Sequence, residues 1–134
     1  MTALVPDATA IGSDVVVLVV PGDNSYLGVL RTATAGLATR LQMTLDEIED
    51  LRIAVDEACA ILVPLAVPGS EVTCRFTVTS GALRIEVSVP ASDTGRLPGN
   101  SSFSWQVLTA LAGEVSADGR DGNAMICLTK RRSG

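Results

Sequence analysis

The stretch TLDEIEDLRIAVDEACAIL, residues 44–62, carries the helix signal on which the interpretation of the whole chain depends. Thr44 and Glu47 are spaced as in a capping box, in which each side chain satisfies a free backbone amide of the first turn. Apolar residues then recur at helical spacing: Ile48, Leu51, Val55, Ala58 and Leu62. A neighbouring face holds Ala54, Glu57 and Ile61. We predict that this helix ends near Pro64, because proline interrupts helical hydrogen bonding.

Upstream of this helix, the sequence predicts a strand and another helix. Residues 14–20 are mostly β-branched and end at Pro21-Gly22, the pattern of a buried strand followed by a turn. The next apolar residues have helical spacing: Leu27, Leu30, Leu37 and Leu41. We expect this helix to end near Arg40, with Arg31 off its apolar stripe.

Downstream, two hairpins flank a loop and a short helix. Residues 72–79 and 83–89 alternate between apolar and polar around a Ser-Gly turn, which predicts an antiparallel hairpin. Residues 90–102 have no period, and a loop of this length is usually functional or mobile. Residues 105–112 predict a helix that stops at Gly113. Strands at 115–117 and 124–129, joined by a turn at 118–122, complete the chain.

This order of elements predicts an α/β (α+β) two-layer sandwich, in which helices cover one face of a mixed, mainly antiparallel sheet. The 134 residues suit a single domain over residues 1–134. Residues 1–12 and 131–134 lack periodicity, so we expect flexible ends, with a frayed basic tail at Lys130, Arg131 and Arg132.

Composition excludes several classes of function. The net charge of −5 disfavours direct nucleic-acid binding, which requires cationic groups, and the absence of histidine removes the commonest general base and metal ligand. The longest apolar run is too short to span a membrane. Three cysteines without a C-x-x-C pair predict buried free thiols in a reducing compartment. We therefore expect a cytoplasmic protein that contacts neither nucleic acid nor membrane and holds no zinc.

Three segments resemble one protein family. They are Tyr26–Arg31, Ile48–Cys59 and Ser102–Leu111. They are similar to the anti-sigma factor and serine-protein kinase family of the GHKL (histidine kinase-like) ATPase superfamily, of RsbW-like type, and the third segment looks like the actinobacterial branch. The resemblance implies the GHKL ATPase (Bergerat) fold and a homodimer. It also implies a sigma factor as partner and release by an anti-anti-sigma (STAS-type) protein through partner switching. Arg31, with Tyr26 and Leu27 beside it, matches the partner-binding segment.

The same resemblance implies ATP or ADP with Mg²⁺ as ligand. In the family motif E-x-x-x-N, the glutamate acts on the attacking hydroxyl and the asparagine holds the metal. Glu57 matches the glutamate as the catalytic residue. Ile61 occupies the asparagine position, where a hydrocarbon side chain cannot ligate a cation that requires oxygen ligands. The residues therefore predict no metal site.

The other two nucleotide motifs are also changed. In the family motif D-x-G-x-G, the aspartate reads adenine. Asp93 and Gly95 match this motif, whereas Leu97 replaces its second glycine. Ser102 and Ser104 stand where the family's G-x-G amides wrap the phosphates, and any positive φ there would cost a serine about 1 kcal/mol or more.

Three hypotheses follow from these residues. The first is an anti-sigma factor with a degenerate nucleotide site, which sequesters a stress or developmental sigma factor. The second is an active serine kinase that phosphorylates its anti-anti-sigma antagonist. The third is a sensor of another ligand beneath the 90–102 loop.

Overall fold

A computed structural model describes residues 13–93, 97–99 and 101–133. The predicted flexible segment 1–12, together with Gly95 and Gly134, lies outside the described residues. The elements in chain order are β1 (Asp14–Pro21), α1 (Asn24–Arg40), α2 (Leu45–Leu62), a 3₁₀ turn (Val63–Leu65), β2 (Glu71–Val78), β3 (Ala82–Pro90), α3 (Phe103–Ala112), β4 (Glu114–Arg120) and β5 (Asn123–Arg131).

The capping box confirms the predicted start of α2. The amide of Glu47 donates to Thr44 Oγ1 at 3.1 Å, and the amide of Thr44 donates to Glu47 Oε1 at 2.8 Å. At the start of α1, Asp23 Oδ1 accepts from the amide of Ser25 at 2.9 Å. Both helices therefore begin at residues whose side chains satisfy orphan amides.

The five strands form one sheet in the order β1-β2-β3-β5-β4. All four pairings are antiparallel, which corrects the expectation of a mixed sheet. The α3 crossover does make β4 run parallel to β3, but β5 lies between these two strands. Because β5 forms the hairpin with β4 and also pairs with β3, no parallel neighbours remain in the described sheet.

One face of the sheet packs against the helices and forms the core. Successive side chains of each strand point to opposite faces of the sheet, so every second residue faces the helices. Among these residues, Val72, Phe76 and Ile85 are fully buried. Leu30 from α1, Leu51 from α2 and Leu108 from α3 join the same cluster. The opposite face, called here the open face, is more polar: Arg75 and Arg84 lie 4.0 and 3.8 Å from the Glu86 carboxylate.

The edge strand β1 differs from its prediction as a buried strand. Four of its valines are 36–52% exposed: Val15, Val16, Val17 and Val19. We call these four residues the valine strip. The sequence pattern identified the strand correctly, but an apolar run does not distinguish a central strand from an edge strand.

The last hairpin also differs from the prediction. β4 continues to Arg120, so the turn consists of Asp121 and Gly122 alone, with φ of 55° and 75°. Positive φ at both central residues is the geometry of a two-residue hairpin turn and explains why the predicted turn at 118–122 was too long.

The described part of the C-terminus is not a frayed tail. Lys130 and Arg131 lie in β5, where Arg131 pairs with Ala82. The amide of Arg132 donates to the carbonyl of Gly81 at 3.0 Å, and its side chain donates to the carbonyl of Leu41 at 3.1 Å. Charge at the chain end suggested solvation, whereas β5 is an inner strand whose backbone groups are paired.

All three cysteines are free and buried, as predicted. Burial raises the pKa of the Cys59 thiol to about 12 and moves that of Cys74 in the same direction. In the part of the chain that is described, no helix has the length and apolarity needed to cross a bilayer.

Candidate functional site

The first group of candidate residues lies on α1. Tyr26 is 48% exposed at the start of the helix, whereas Leu27 is only 8% exposed and packs in the core. The Leu27 side chain therefore anchors α1 in the core and contributes little to the exposed surface of this helix. Tyr26 and Arg31 are the surface residues of the predicted partner-binding set.

Arg31 is held in place by α2. Its Nη1 donates to Asp56 Oδ1 at 2.7 Å, and both side chains keep 39–46% of their exposure. The hydrogen bond to Asp56 raises the pKa of the Arg31 guanidinium, so this residue stays cationic. The pair is too exposed to contribute much stability, but it fixes the direction in which the guanidinium points.

Gly28 provides room for this arrangement. A Cβ at position 28 would lie 3.1 Å from Arg31 Nη2, so an alanine there would push the guanidinium aside by a few tenths of an ångström. The two residues are three apart on one helix face, a spacing that the sequence alone could have indicated. Asp56 was not predicted, because a contact between residues 25 positions apart leaves no local pattern.

A shallow cleft of about 680 Å³ lies beside Arg31. We call it the α1 cleft, and its lining residues are Ser25, Gly28, Val29, Arg31, Thr32, Ala33 and Arg52. Arg52 belongs to α2, and its Nη1 donates to Glu49 Oε1 at 3.0 Å. The cleft therefore presents two guanidinium groups, each paired with a carboxylate of α2, beside the exposed side chain of Val29.

The second group of candidate residues surrounds the C-terminal half of α2. Glu57 is half-buried, and its carboxylate forms no hydrogen bond or ion pair with any described residue. Ile61, one turn later, packs against the core with Leu97. The positions of a metal-binding asparagine and of a flexible glycine are thus occupied by partly buried hydrocarbon side chains that pack against the core.

Asp93 is exposed and lies just after β3. Backbone contacts join the end of β3 to the segment that follows α2. Ala66 forms a β-bridge with Ala91, and the amide of Val67 donates to the carbonyl of Pro90 at 2.8 Å. Asp93 therefore lies two residues after a segment, residues 90–91, that is hydrogen-bonded to the chain just beyond α2. Gly95 lies outside the described residues.

Ser102 and Ser104 lie at the start of α3, which packs against α2. Ser102 has φ of −72° and ψ of 157°, and its hydroxyl accepts from the amide of Trp105 at 3.1 Å. Ser104 lies inside the first helical turn. Neither serine has the positive φ considered from the sequence, so replacement of glycine causes no backbone strain here.

These residues do not fit a magnesium nucleotide. Ile61 offers no oxygen, Leu97 is a partly buried hydrocarbon side chain packed against the core, and the Ser102 hydroxyl already caps α3. Within the described ranges, no group of three or more acidic, cysteine or histidine side chains is arranged to hold a metal ion.

Comparison with known proteins identifies relatives of this chain. It is 37% identical over 115 residues to the anti-sigma-F factor RsbW of Mycobacterium tuberculosis, a match that covers 80% of this chain and 67% of the relative. It is 39% identical over 79 residues to the serine-protein kinase RsbW of Bacillus subtilis, which covers 57% of this chain and 49% of that protein. The chain thus spans about half the length of the Bacillus relative. No protein-family model matches it.

A solved structure supports the fold. The chain matches a crystal structure of the RsbU and RsbW domains of one M. tuberculosis protein with a TM-score of 0.70 at 13% identity. The match covers 90% of this chain and 33% of that one. At this identity, the likeness concerns the fold alone.

Proposed function

This chain belongs to the RsbW family of anti-sigma factors and serine-protein kinases, and we propose that it acts as an anti-sigma factor in the cytoplasm. It binds and sequesters an alternative sigma factor, as a homodimer, and releases it when an anti-anti-sigma protein of STAS type competes. The observation that carries this proposal is the α1 surface, where Asp56 orients an exposed, permanently charged Arg31 beside the α1 cleft.

The chemistry of this surface suits such a partner. Arginine presents several donors in a fixed plane and bonds carboxylates in pairs, so an oriented guanidinium recognises an acidic side chain with geometric specificity. Tyr26 and Val29, each about half exposed, add apolar area on the same helix. Arginine and tyrosine are the residue types enriched at the energetic centres of protein interfaces.

Transcription in a purified system tests the proposal. Excess protein is expected to inhibit the cognate sigma-dependent promoter, and Arg31→Ala is expected to weaken sigma binding by about 10- to 100-fold. The matched control is Arg120→Ala, which removes another exposed arginine bonded to an aspartate, Asp118, but at the β4–β5 hairpin. Unchanged transcription with excess protein would refute the anti-sigma function. Equal effects of both variants on sigma binding would refute the proposal that the α1 surface around Arg31 binds the sigma factor.

We further propose that the nucleotide site is degenerate and that switching does not depend on phosphoryl transfer. The hydrocarbon side chains of Ile61 and Leu97, both packed against the core, support this view. Labelled ATP is expected to transfer no phosphate to the antagonist, and Glu57→Ala is expected to leave partner exchange intact. Phosphate transfer that Glu57→Ala abolishes would instead establish the kinase.

A further inference from the structure

Gly28 is an interior residue of helix α1, where glycine is an unfavourable choice. Without a side chain it loses more conformational freedom on folding than alanine does, so it weakens the helix. The other interior glycine of α1, Gly36, has no described neighbour within 4 Å of the position that a Cβ would take. At Gly28, that position lies 3.1 Å from Nη2 and 3.9 Å from Cζ of Arg31. The Arg31 guanidinium therefore lies against the space that a side chain at position 28 would fill.

Asp56 on α2 holds the same guanidinium. Its Oδ1 accepts from Arg31 Nη1 at 2.7 Å, whereas Nη2 and Nε of Arg31 donate to no described residue. Helix α1 thus provides room at Nη2, and helix α2 provides a bond at Nη1. Since Gly28 and Arg31 both line the α1 cleft, the two nitrogens without a described acceptor remain available to a molecule that docks at this cleft.

We propose that Gly28 and Asp56 are positioning residues for partner recognition: they set the location of the Arg31 guanidinium, and they affect sigma-factor binding only through it. The inference rests on the proposed function, in which Arg31 contacts the sigma factor. Nη2 and Nε form the edge of a guanidinium that can donate to both oxygens of one carboxylate. Such hydrogen bonds weaken steeply when their geometry changes, so a small displacement of the guanidinium reduces binding.

Stability and recognition make opposite demands at position 28. An alanine there would push the guanidinium aside by a few tenths of an ångström. This movement costs the fold little, because the Arg31 side chain keeps 39% of its exposure and exposed ion pairs contribute little stability. Alanine would meanwhile remove the helix penalty of glycine. We therefore expect Gly28→Ala to stabilise the protein and to weaken partner binding, a combination that a purely structural residue would not show.

Binding calorimetry tests the role of Gly28, with the purified sigma factor whose promoter the wild-type protein inhibits as the probe. Gly28→Ala is expected to weaken binding by about 3- to 10-fold. The matched control, Gly36→Ala, changes the same residue type in the same helix and is expected to bind as the wild type does. Both variants are expected to raise the midpoint of thermal unfolding by about 2–5 °C. Wild-type binding by Gly28→Ala, weakened binding by Gly36→Ala or a lower midpoint for Gly28→Ala would each overturn the proposal.

Two substitutions of Asp56 test its role in the same assay. Asp56→Ala is expected to weaken sigma binding by about 5- to 10-fold, whereas Asp56→Asn, which keeps an oxygen that can accept from Nη1, is expected to bind within about 3-fold of the wild type. The matched control, Asp118→Ala, removes an aspartate bonded to an exposed arginine, Arg120, at the β4–β5 hairpin and is expected to bind as the wild type does. Tighter binding by Asp56→Ala would show that Asp56 competes with the partner for Arg31, and equal losses in both Asp56 variants would show that charge rather than position is required. Either result would overturn the proposal.

A double-mutant cycle tests whether both residues act through Arg31. In an Arg31→Ala background, Gly28→Ala and Asp56→Ala are each expected to change sigma binding by less than about 2-fold, because the group that they position is gone. Losses that add to that of Arg31→Ala would overturn the proposal. A wild-type protein that neither binds the sigma factor nor inhibits transcription would refute the proposed function. Binding that Arg31→Ala weakens and that Gly28→Ala and Asp56→Ala leave unchanged would refute this inference alone.

Discussion

At Glu47, one carboxylate joins distant parts of the chain. Its Oε1 accepts from the amide of Thr44 at 2.8 Å, and its Oε2 accepts from the amide of Ser133 at 2.9 Å. The side chain is buried to 9% exposure. These hydrogen bonds, with that to Thr44 foremost, lower the pKa of Glu47. The residue that caps α2 therefore also holds the backbone at Ser133, just after β5.

This carboxylate predicts a pH-dependent contribution to stability. Because its pKa is lower in the folded state than in the unfolded chain, the contribution is complete above the ordinary value of 4.5 and is lost as pH falls through the folded pKa. Glu47→Gln is expected to lower the free energy of unfolding at neutral pH, and the difference from wild type is expected to narrow as the pH falls below 4.5. Urea titrations at several pH values measure the difference in unfolding free energy at neutral pH and its change with pH.

The control for this experiment is Glu71→Gln. It removes the same charge at an exposed strand position, where the Glu71 carboxylate has no hydrogen bond or ion pair to any described residue. Its unfolding curves are expected to follow the wild type. If the loss of unfolding free energy in Glu47→Gln stays constant or grows on acidification, the ionised Glu47 carboxylate is not the source of the stabilisation.

The candidate residues show which features a sequence reveals. The changes at Ile61 and Leu97 could be read directly, because each replaces a residue type whose chemistry the motif requires. The burial of Leu27 could have been inferred from its place in the apolar stripe of α1. The Arg31–Asp56 contact could not, because it depends on how two helices pack against each other.

At the scale of elements, helix ends are where local chemistry is most explicit. The sequence predicted the Thr44 cap and the Gly113 stop, and the structure confirms both, with Gly113 at φ of 93°. Strand position was harder to predict. The run at 14–20 has a central-strand composition, and only the sheet order shows that it is an edge.

Gly113, which follows the end of α3, and Gly36, which lies inside α1, are expected to respond oppositely to substitution by alanine. Gly113→Ala places a Cβ on a backbone with positive φ and should cost about 1 kcal/mol or more of unfolding free energy. Gly36→Ala, inside α1 and without neighbours within 4 Å of the added Cβ, should stabilise by about 0.5–1 kcal/mol. Thermal unfolding of both variants provides the measurement; shifts of the same sign would contradict the assignment of Gly113 as the stop of α3.

At the scale of the whole molecule, alternation and helical spacing were enough to predict two layers, the element order and the covered face of the sheet. They were not enough to predict the strand order. The insertion of β5 between β3 and β4 depends on a pairing between strands separated by α3, for which no local pattern exists. The expected mixed sheet was wrong for this reason.

The two phenylalanines provide a test of where the core lies. Phe76 on β2 is fully buried, whereas Phe103 at the start of α3 is 80% exposed. Phe76→Ala is expected to cost about 3–5 kcal/mol, a large part of the roughly 5–15 kcal/mol typical of whole domains. Phe103→Ala should change stability by less than about 0.5 kcal/mol. Chemical denaturation measures the unfolding free energy of both variants. Similar losses for both would refute the placement of Phe76 in the core and of Phe103 at the surface.

The inner position of β5 also affects how the protein is made. Chains emerge from the ribosome N-terminus first, and β3 can acquire its second neighbour only after residues 123–131 have left the exit tunnel. Until then, β3 is an unpaired edge in a nascent chain that already contains α1, α2 and the β2–β3 hairpin. The described sheet is therefore complete only when β5 has left the tunnel and paired with β3, and a ribosome stalled earlier would hold a nascent chain with β3 open to misassembly.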